Sequence, residues 1–383
     1  MCNDKWQVVE ISRDGWQILD NSPIWFMRYA DMDELPAPKH TRNNYKTICK
    51  LKNYVNYTTE ENFDLYVSWL LSNLLTDISV PILILQGTAG VGKSFTSEML
   101  RTVLDPAKKL KIISRTKPKI SDVVIDAFRT RVLVYDNFSA GSITAEISDL
   151  FATIATNAAT QTRNLYSNND VWVVNLGRSL LFNGIDDLVK RQDLLSRSLV
   201  ISLEELTERK SEIAMIKQFK TDHPYILGAL LNVASMALKN QGQSEFKESR
   251  FTDWGQFIEN GLPALAWKQD YFKEIYLSNI NKAQESLIQG NYFVLGVIEL
   301  VEKSYGKVQY TATDLLEAIK NLKSIPHEYE LPKGALPFAN KVSDYLKRDK
   351  ALLKQCGVSY TTKKTNGKTV YVFSKETLDI EPK

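Results

Sequence analysis

The run Gly87, Thr88, Ala89, Gly90, Val91, Gly92, Lys93, Ser94 matches GxxxxGK[ST], and Phe95 follows it. These residue types at this spacing suit phosphate chemistry. Glycines let the backbone curl so that successive N–H groups face an anion at the positive end of a following helix. The lysine then reaches the β- and γ-phosphates and the next hydroxyl ligates Mg2+. Residues 87–95 are therefore expected to hold ATP and Mg2+, with Lys93 acting in catalysis and Ser94 on the metal.

Nucleotide hydrolysis also needs an acid that holds the metal and helps position water. Asp136 ends the apolar run Val132–Tyr135, 43 residues beyond Lys93, and is the expected second Mg2+ ligand. Asn137 follows where many such enzymes place a glutamate. An amide is no general base; it orients water by hydrogen bonds, or another acid such as Glu146 serves. Asn183 ends the run Ser179–Phe182, a place beside the γ-phosphate from which an amide orients the attacking water. Arg197, just before Ser198–Leu203, is expected to reach a neighbouring subunit's γ-phosphate, with Arg191 as second choice.

The elements that must position these residues are legible in outline. Pro81–Gln86, Arg131–Tyr135, Ser179–Phe182 and Ser198–Leu203 are short apolar runs, as strands covered on both faces require. Helical stretches near 94–104, 119–130 and 143–157 alternate with them, so a parallel sheet in a three-layer α/β domain is predicted. Upstream, Trp6–Ile11, Trp16–Leu19 and Trp25–Arg28 read as strands, and Leu35–Lys39 as a proline-rich linker. A helix over Thr59–Thr76 is expected, with Thr58 as N-cap and Glu61 closing a capping box. Residues 207–290 read as helical. The last segment reads as helices Tyr292–Ser304, Thr313–Leu322 and Phe338–Cys356, then strands Val358–Lys363 and Thr369–Phe373 around the Asn366-Gly367 turn. The predicted organisation is a β element and linker (1–50), an ATPase core (51–206), a helical connector (207–290) and a winged-helix-like DNA-binding domain (291–383).

The phosphate loop, the Asp136-Asn137 pair, Asn183 and Arg197, in this order, resemble the AAA+ ATPases. More narrowly, the chain is similar to the ATPase of phages and integrated mobile elements, often the C-terminal part of primase–helicase polypeptides. Val9–Trp16, Asp136–Ser139, Thr162–Ser167, Leu181–Ile185, Arg191–Arg197 and Leu331–Lys333 carry this likeness over nearly the whole chain. The family in turn resembles superfamily 3 and minichromosome-maintenance helicases. The resemblance implies an AAA+ P-loop core, a hexameric ring with ATP at subunit interfaces, and translocation on single-stranded or forked DNA. It also implies that Arg163 and Arg178 lie in segments facing the neighbouring subunit or the central pore. Relatives continue upstream into a primase module, so a stand-alone helicase, a fragment of a larger polypeptide, or a separate primase partner is expected.

The 383 residues carry 48 Lys+Arg against 45 Asp+Glu, a net of +3 that names no partner. Residues 331–370, however, hold nine basic residues against two acids, an excess of seven that leaves the remainder at −4. Lys333, Lys347, Arg348, Lys363, Lys364 and Lys368 are the candidate DNA contacts from this block. Cys2, Cys49 and Cys356 are too scattered to frame a zinc site or a disulfide scaffold. The start lacks an apolar leader, and Val80–Leu85 falls far short of the ~20 residues that span a bilayer. A cytoplasmic protein of a bacterial host with no membrane partner is the expectation. The leading function is an ATP-driven replicative helicase. An ATP-switched origin initiator or helicase loader is the alternative, and an ATPase acting on protein partners the third.

Overall fold

The computed structural model describes residues 1–375 apart from 77, 109–111, 115–117, 139–142, 158, 164–170, 185–191, 207, 209, 328–329, 332–334 and 366. For 114, 145, 159–163, 171–175, 192 and 193 it describes the backbone alone. The chain divides into two compact units, Met1–Asn281 and Lys282–Lys383.

The first unit opens with an antiparallel hairpin, β1 (Val8–Ser12) and β2 (Gly15–Leu19). The expected third strand at Trp25–Arg28 does not form. Pro23 removes a ladder donor just upstream, and Trp25, Phe26 and Met27 stand exposed with no strand beside them. The linker after it is tied down, because Lys39 N donates to Pro224 O at 2.8 Å. Helix α1 (Asn44–Ile48) and a 3-10 turn lead to α2 (Glu60–Ser72). Thr59, not Thr58, caps α2: its Oγ1 accepts from Asn62 N at 3.3 Å. Thr58 is spent elsewhere, donating to Ser202 O at 3.0 Å, so the capping role passes one residue on.

Next come β3 (Ile82–Gln86), α3 (Lys93–Thr102), β4 (Ile113–Ser114), α4 (Ile120–Arg129), β5 (Val132–Asp136) and α5 (Ala145–Ala155). An antiparallel hairpin, β6 (Ala159–Arg163) and β7 (Val171–Asn175), is inserted before β8 (Ser179–Gly184), α6 (Gln192–Leu195) and β9 (Ser198–Ser202). The sheet is five-stranded and wholly parallel, in the order β4-β5-β8-β3-β9. Its central strands are buried, which explains their near-continuous apolar sequence. The helices α7 (Glu212–Lys239), α8 (Thr252–Leu265) and α9 (Tyr271–Gln289) follow. Leu83, Leu181 and Leu199 of the sheet share one core with Trp69 of α2, Leu230 of α7 and Trp254 of α8. A separate aromatic cluster backs β5 and β8, with Phe138 stacked on Phe182 at 5.4 Å and Phe151 4.8 Å from Phe182.

The second unit contains α10 (Tyr292–Lys303), β10 (Lys307–Thr311), α11 (Ala312–Lys320), α12 (Val342–Arg348), α13 (Lys350–Gln355), β11 (Val358–Thr365) and β12 (Lys368–Lys375). Its antiparallel sheet runs β10-β12-β11. The single helix expected over Phe338–Cys356 is interrupted at Asp349, whose carboxylate takes the Arg348 guanidinium and Asn291 Nδ2. Strand β10 was not legible in the sequence, since five residues with two half-buried aliphatic or aromatic positions give little pattern by themselves. Phe293, Val301, Leu315, Leu346 and Phe373 form the core of this unit.

Candidate nucleotide site

The glycines of the loop between β3 and α3 hold conformations that side chains resist. Gly87 has φ +148°, and a Cβ there would meet Leu203 O at 2.6 Å. Gly90 has φ +85°, and Gly92, with φ +79°, caps α3 in the left-handed region. The loop thus turns its backbone towards the N-terminus of a ten-residue helix, where unpaired N–H groups and the helix dipole favour an anion. Thr88, Ala89 and Gly90 are exposed at the mouth, while Val91 anchors the loop in the core. Lys93 is buried, and its Nζ donates to Gly87 O and Thr88 O, each at 2.6 Å. Its ammonium is therefore centred over the loop.

Ser94 and Asp136 come together. Ser94 Oγ donates to Asp136 Oδ1 at 2.8 Å, joining the first turn of α3 to the end of β5. Strand β8 lies between β3 and β5 in the sheet, so Asn183 arrives at the same edge. There the amide points inwards. Asn183 is 1% exposed; its Nδ2 donates to Ser97 Oγ at 2.9 Å, and its Oδ1 accepts from Asn137 N at 3.2 Å. Ser97 Oγ in turn donates to Lys93 O at 2.9 Å. Asn137 takes a left-handed φ of +57°, and the next amide, Phe138 N, donates to Asn183 O at 2.9 Å. A chain of hydrogen bonds, buried at Ser97 and Asn183, thus runs from the lysine of the loop to the residue after the acid. Glu146 stands exposed in the first turn of α5.

One contributor escaped the sequence. Asn56, in the segment before α2, donates from Nδ2 to Val91 O at 2.8 Å and Glu204 O at 2.9 Å, and its N–H meets Thr96 Oγ1 at 2.9 Å. No local motif marks it, because the partners of its side chain, Val91 and Glu204, lie far along the chain. A cleft of 420 Å³ opens beside it, lined by Tyr54, Asn56, Gly92, Phe95, Thr96 and Leu206 among others. It adjoins the loop on the side of Phe95 and has the volume and mixed lining of a small-molecule site.

Arg197 lies at the other edge of the sheet. Its carbonyl accepts from Ile82 N at 2.8 Å, at the first residue of β3, whereas the loop leaves from the last. Five strand residues at ~3.3 Å each put about 17 Å between them. Arg178 donates to Ala127 O at 2.7 Å, Thr130 O at 3.1 Å and Gly177 O at 2.7 Å, closing the C-terminal end of α4; burial holds its pKa below the usual arginine value. Arg163 lies on β6, its side chain outside the described residues, and Arg191 is wholly outside them.

Of the basic candidates in the second unit, Lys333 also lies outside the described residues. Arg348 forks onto Asp349 with two 2.8 Å bonds and covers the Tyr345 ring at 4.1 Å; the bonds to Asp349 raise its pKa. Lys347, Lys363, Lys364 and Lys368 are exposed, and Lys363 Nζ donates to Gln309 Oε1 at 2.7 Å. Among the described residues no helix is long and apolar enough to cross a membrane.

Solved structures similar to the chain at low identity include the following three. The C-terminal region of NrS-1, in an apo form, is 12% identical with TM-score 0.39, covering 91% of this chain and 79% of that one. SCCmec type IV Cch, described as an active helicase, is 13% identical with TM-score 0.45, covering 96% and 76%. NtrX from Brucella abortus, in complex with ADP, is 11% identical with TM-score 0.25, covering 73% and 71%. No curated protein matches the chain. A family model described as Actinomycete integrative conjugative element replication protein matches residues 48–259, more than half the chain and the whole of the site from Asn56 to Arg197. The chain belongs to this family of mobile-element replication proteins.

Proposed function

We propose that this chain is an ATP- and Mg2+-dependent DNA helicase of the AAA+ class, working as a hexameric ring in replication of a mobile element. The observation that carries the reading is the Ser94–Asp136 pair at 2.8 Å beside the glycine cradle. Two hard oxygen donors converge there next to a loop built for phosphate, which suits Mg2+ bridging to a nucleotide. The metal, when bound, supplies charge neutralisation on the phosphates. The chain's own parts do the rest: loop amides and Lys93 bind and orient the phosphates, Ser94 and Asp136 hold the metal, and the cleft by Phe95 and Asn56 takes the nucleoside. Asn183 and Ser97 position Asn137 from behind.

The ring reading draws on Arg197. The Arg197 backbone lies at the end of the sheet opposite its own loop, about 17 Å away along β3, a placement that suits a neighbour's phosphate better than its own. The second unit supports DNA binding, because its order of helix, strand, helices and hairpin, with sheet order β10-β12-β11, suits a winged helix.

ATP turnover and unwinding of forked DNA test the proposal. Lys93→Ala is expected to abolish both, and robust turnover in that variant would discard the phosphate-site assignment. Turnover unaffected by DNA, joined to tight sequence-specific duplex binding, would identify an initiator instead.

A further inference from the structure

The sheet of the second unit has two unlike faces. Val308, Tyr310, Tyr371 and Phe373 alternate to one side and pack on the core of that unit. The opposite side presents Lys307 and Gln309 of β10, Thr361 and Lys363 of β11, and Lys368 of β12, all exposed. The 21 residues of the three strands include five lysines and no aspartate or glutamate. The neighbouring helices differ. Just before α12, Lys341 approaches Asp344 to 3.4 Å, and at the end of α12 Arg348 is committed to Asp349, so two acids stand among the basic groups of that segment.

We propose that this outer sheet face, rather than the α12–α13 segment, binds the sugar-phosphate backbone of duplex DNA. It rests on the proposal that the second unit is the DNA-binding part, and it names the surface. The register gives the spacing. Lys368 lies two residues along β12 from Val370, the partner of Lys363, and Ser374, the partner of Lys307, lies four residues further. At ~3.3 Å per residue the lysines span about 20 Å, or roughly six base-pair steps of B-DNA at 3.4 Å. Strands β10 and β11 flank β12, so the face is about 10 Å wide. Lys363 reaches across β12 to Gln309, which leaves its ammonium two further donors over the middle of the face. Thr361 and Thr365 add hydroxyls beside it. No aromatic side chain points outwards on these strands, which removes the stacking platform that single-strand sites rely on. Duplex backbone is the occupant whose charge and demands match.

The test uses the full chain and a blunt duplex of arbitrary sequence, titrated with salt. The triple variant K307Q/K363Q/K368Q is expected to lower the slope of log affinity against log salt by about 2.7, at 0.9 per released phosphate contact, with an unchanged thermal midpoint. The companion variant K347Q/K350Q/K354Q on α12–α13 is expected to leave the slope near that of the parent. An unchanged slope in the sheet variant overturns the proposal, as does an equal or larger loss in the helix variant. A sheet variant that weakens single-strand binding more than duplex binding also overturns it. Should the triple variant unfold, K368Q alone is expected to lower the slope by about 0.9, and no change there overturns the inference. ATP turnover measured on the parent chain keeps the two ideas apart. Its absence counts against the helicase reading, whereas absent salt-dependent duplex binding counts against the sheet face.

Discussion

Gly87→Ala puts the phosphate-loop geometry to a quantitative test. The new Cβ would lie 2.6 Å from Leu203 O and 3.1 Å from Val91 Cγ2. Optimal heavy-atom contact begins near ~3.5 Å, so the loop and the Leu203 carbonyl must separate by about 1 Å. Neither side yields freely, because Leu203 N donates to Gln86 O at 2.7 Å and fixes that carbonyl against the end of β3. The φ of +148° adds strain on the order of 1–3 kcal/mol for any residue with a Cβ. Recovering the native loop around phosphates then costs roughly 2–4 kcal/mol, which weakens nucleotide affinity about 30-fold to several-hundred-fold. Gly92→Ala is the control. Its nearest new contact is Leu206 Cδ1 at 3.4 Å, the end of a flexible side chain, so only the left-handed φ of +79° is penalised. That costs about 1–2 kcal/mol, or roughly tenfold in affinity. Titration with a fluorescent ATP analogue, with thermal melting to verify folding, reads both. Binding by Gly87→Ala within about threefold of the parent, or a larger loss in Gly92→Ala, would refute the reasoning.

Three further outcomes are expected. Arg197→Ala should lose ATP turnover yet keep nucleotide affinity, and mixing it with Lys93→Ala should restore activity at hybrid sites; an active, strictly monomeric Arg197→Ala protein contradicts the interface role. Asn183→Ala removes the buried donor to Ser97 Oγ and the acceptor of Asn137 N, so urea unfolding should show a loss of about 1–3 kcal/mol, and unchanged stability would mean that this hydrogen-bond chain is dispensable. Asp64, buried between the Tyr45 and Tyr271 hydroxyls at 2.8 and 2.7 Å, has its carboxyl pushed up to about 6 by desolvation. A raised folded pKa means stability present below pH 3.8 and lost as pH rises through about 6, on the order of 3 kcal/mol. Across that window the stability of Asp64→Asn relative to the parent should rise by this amount, and a flat difference would contradict the assignment.

The parts legible in the sequence are those whose cause is local. A phosphate loop needs glycines, a lysine and a hydroxyl within eight consecutive residues, so Gly87–Ser94 announces its own backbone shape. Strands buried on both faces must be apolar throughout, which marks β3, β5, β8 and β9, and the acid ending β5 is visible as the first polar residue after such a run. The excess of lysine near the C-terminus is likewise a matter of counting. Through-space partners belong to the tertiary structure. The order β4-β5-β8-β3-β9 decides that Asn183 arrives beside Ser97 and spends its amide on buried neighbours. Asn56 joins the loop only because three chain segments meet there. Thr58 yields its capping role because Ser202 O, 144 residues away, competes for its hydroxyl. The exposed face of β10, β11 and β12 gathers Lys307 with Lys363 and Lys368 although they are far apart in sequence. Backbone conformation follows from neighbours along the chain, whereas a polar side chain acts on whichever donor or acceptor the packing brings within about 3 Å.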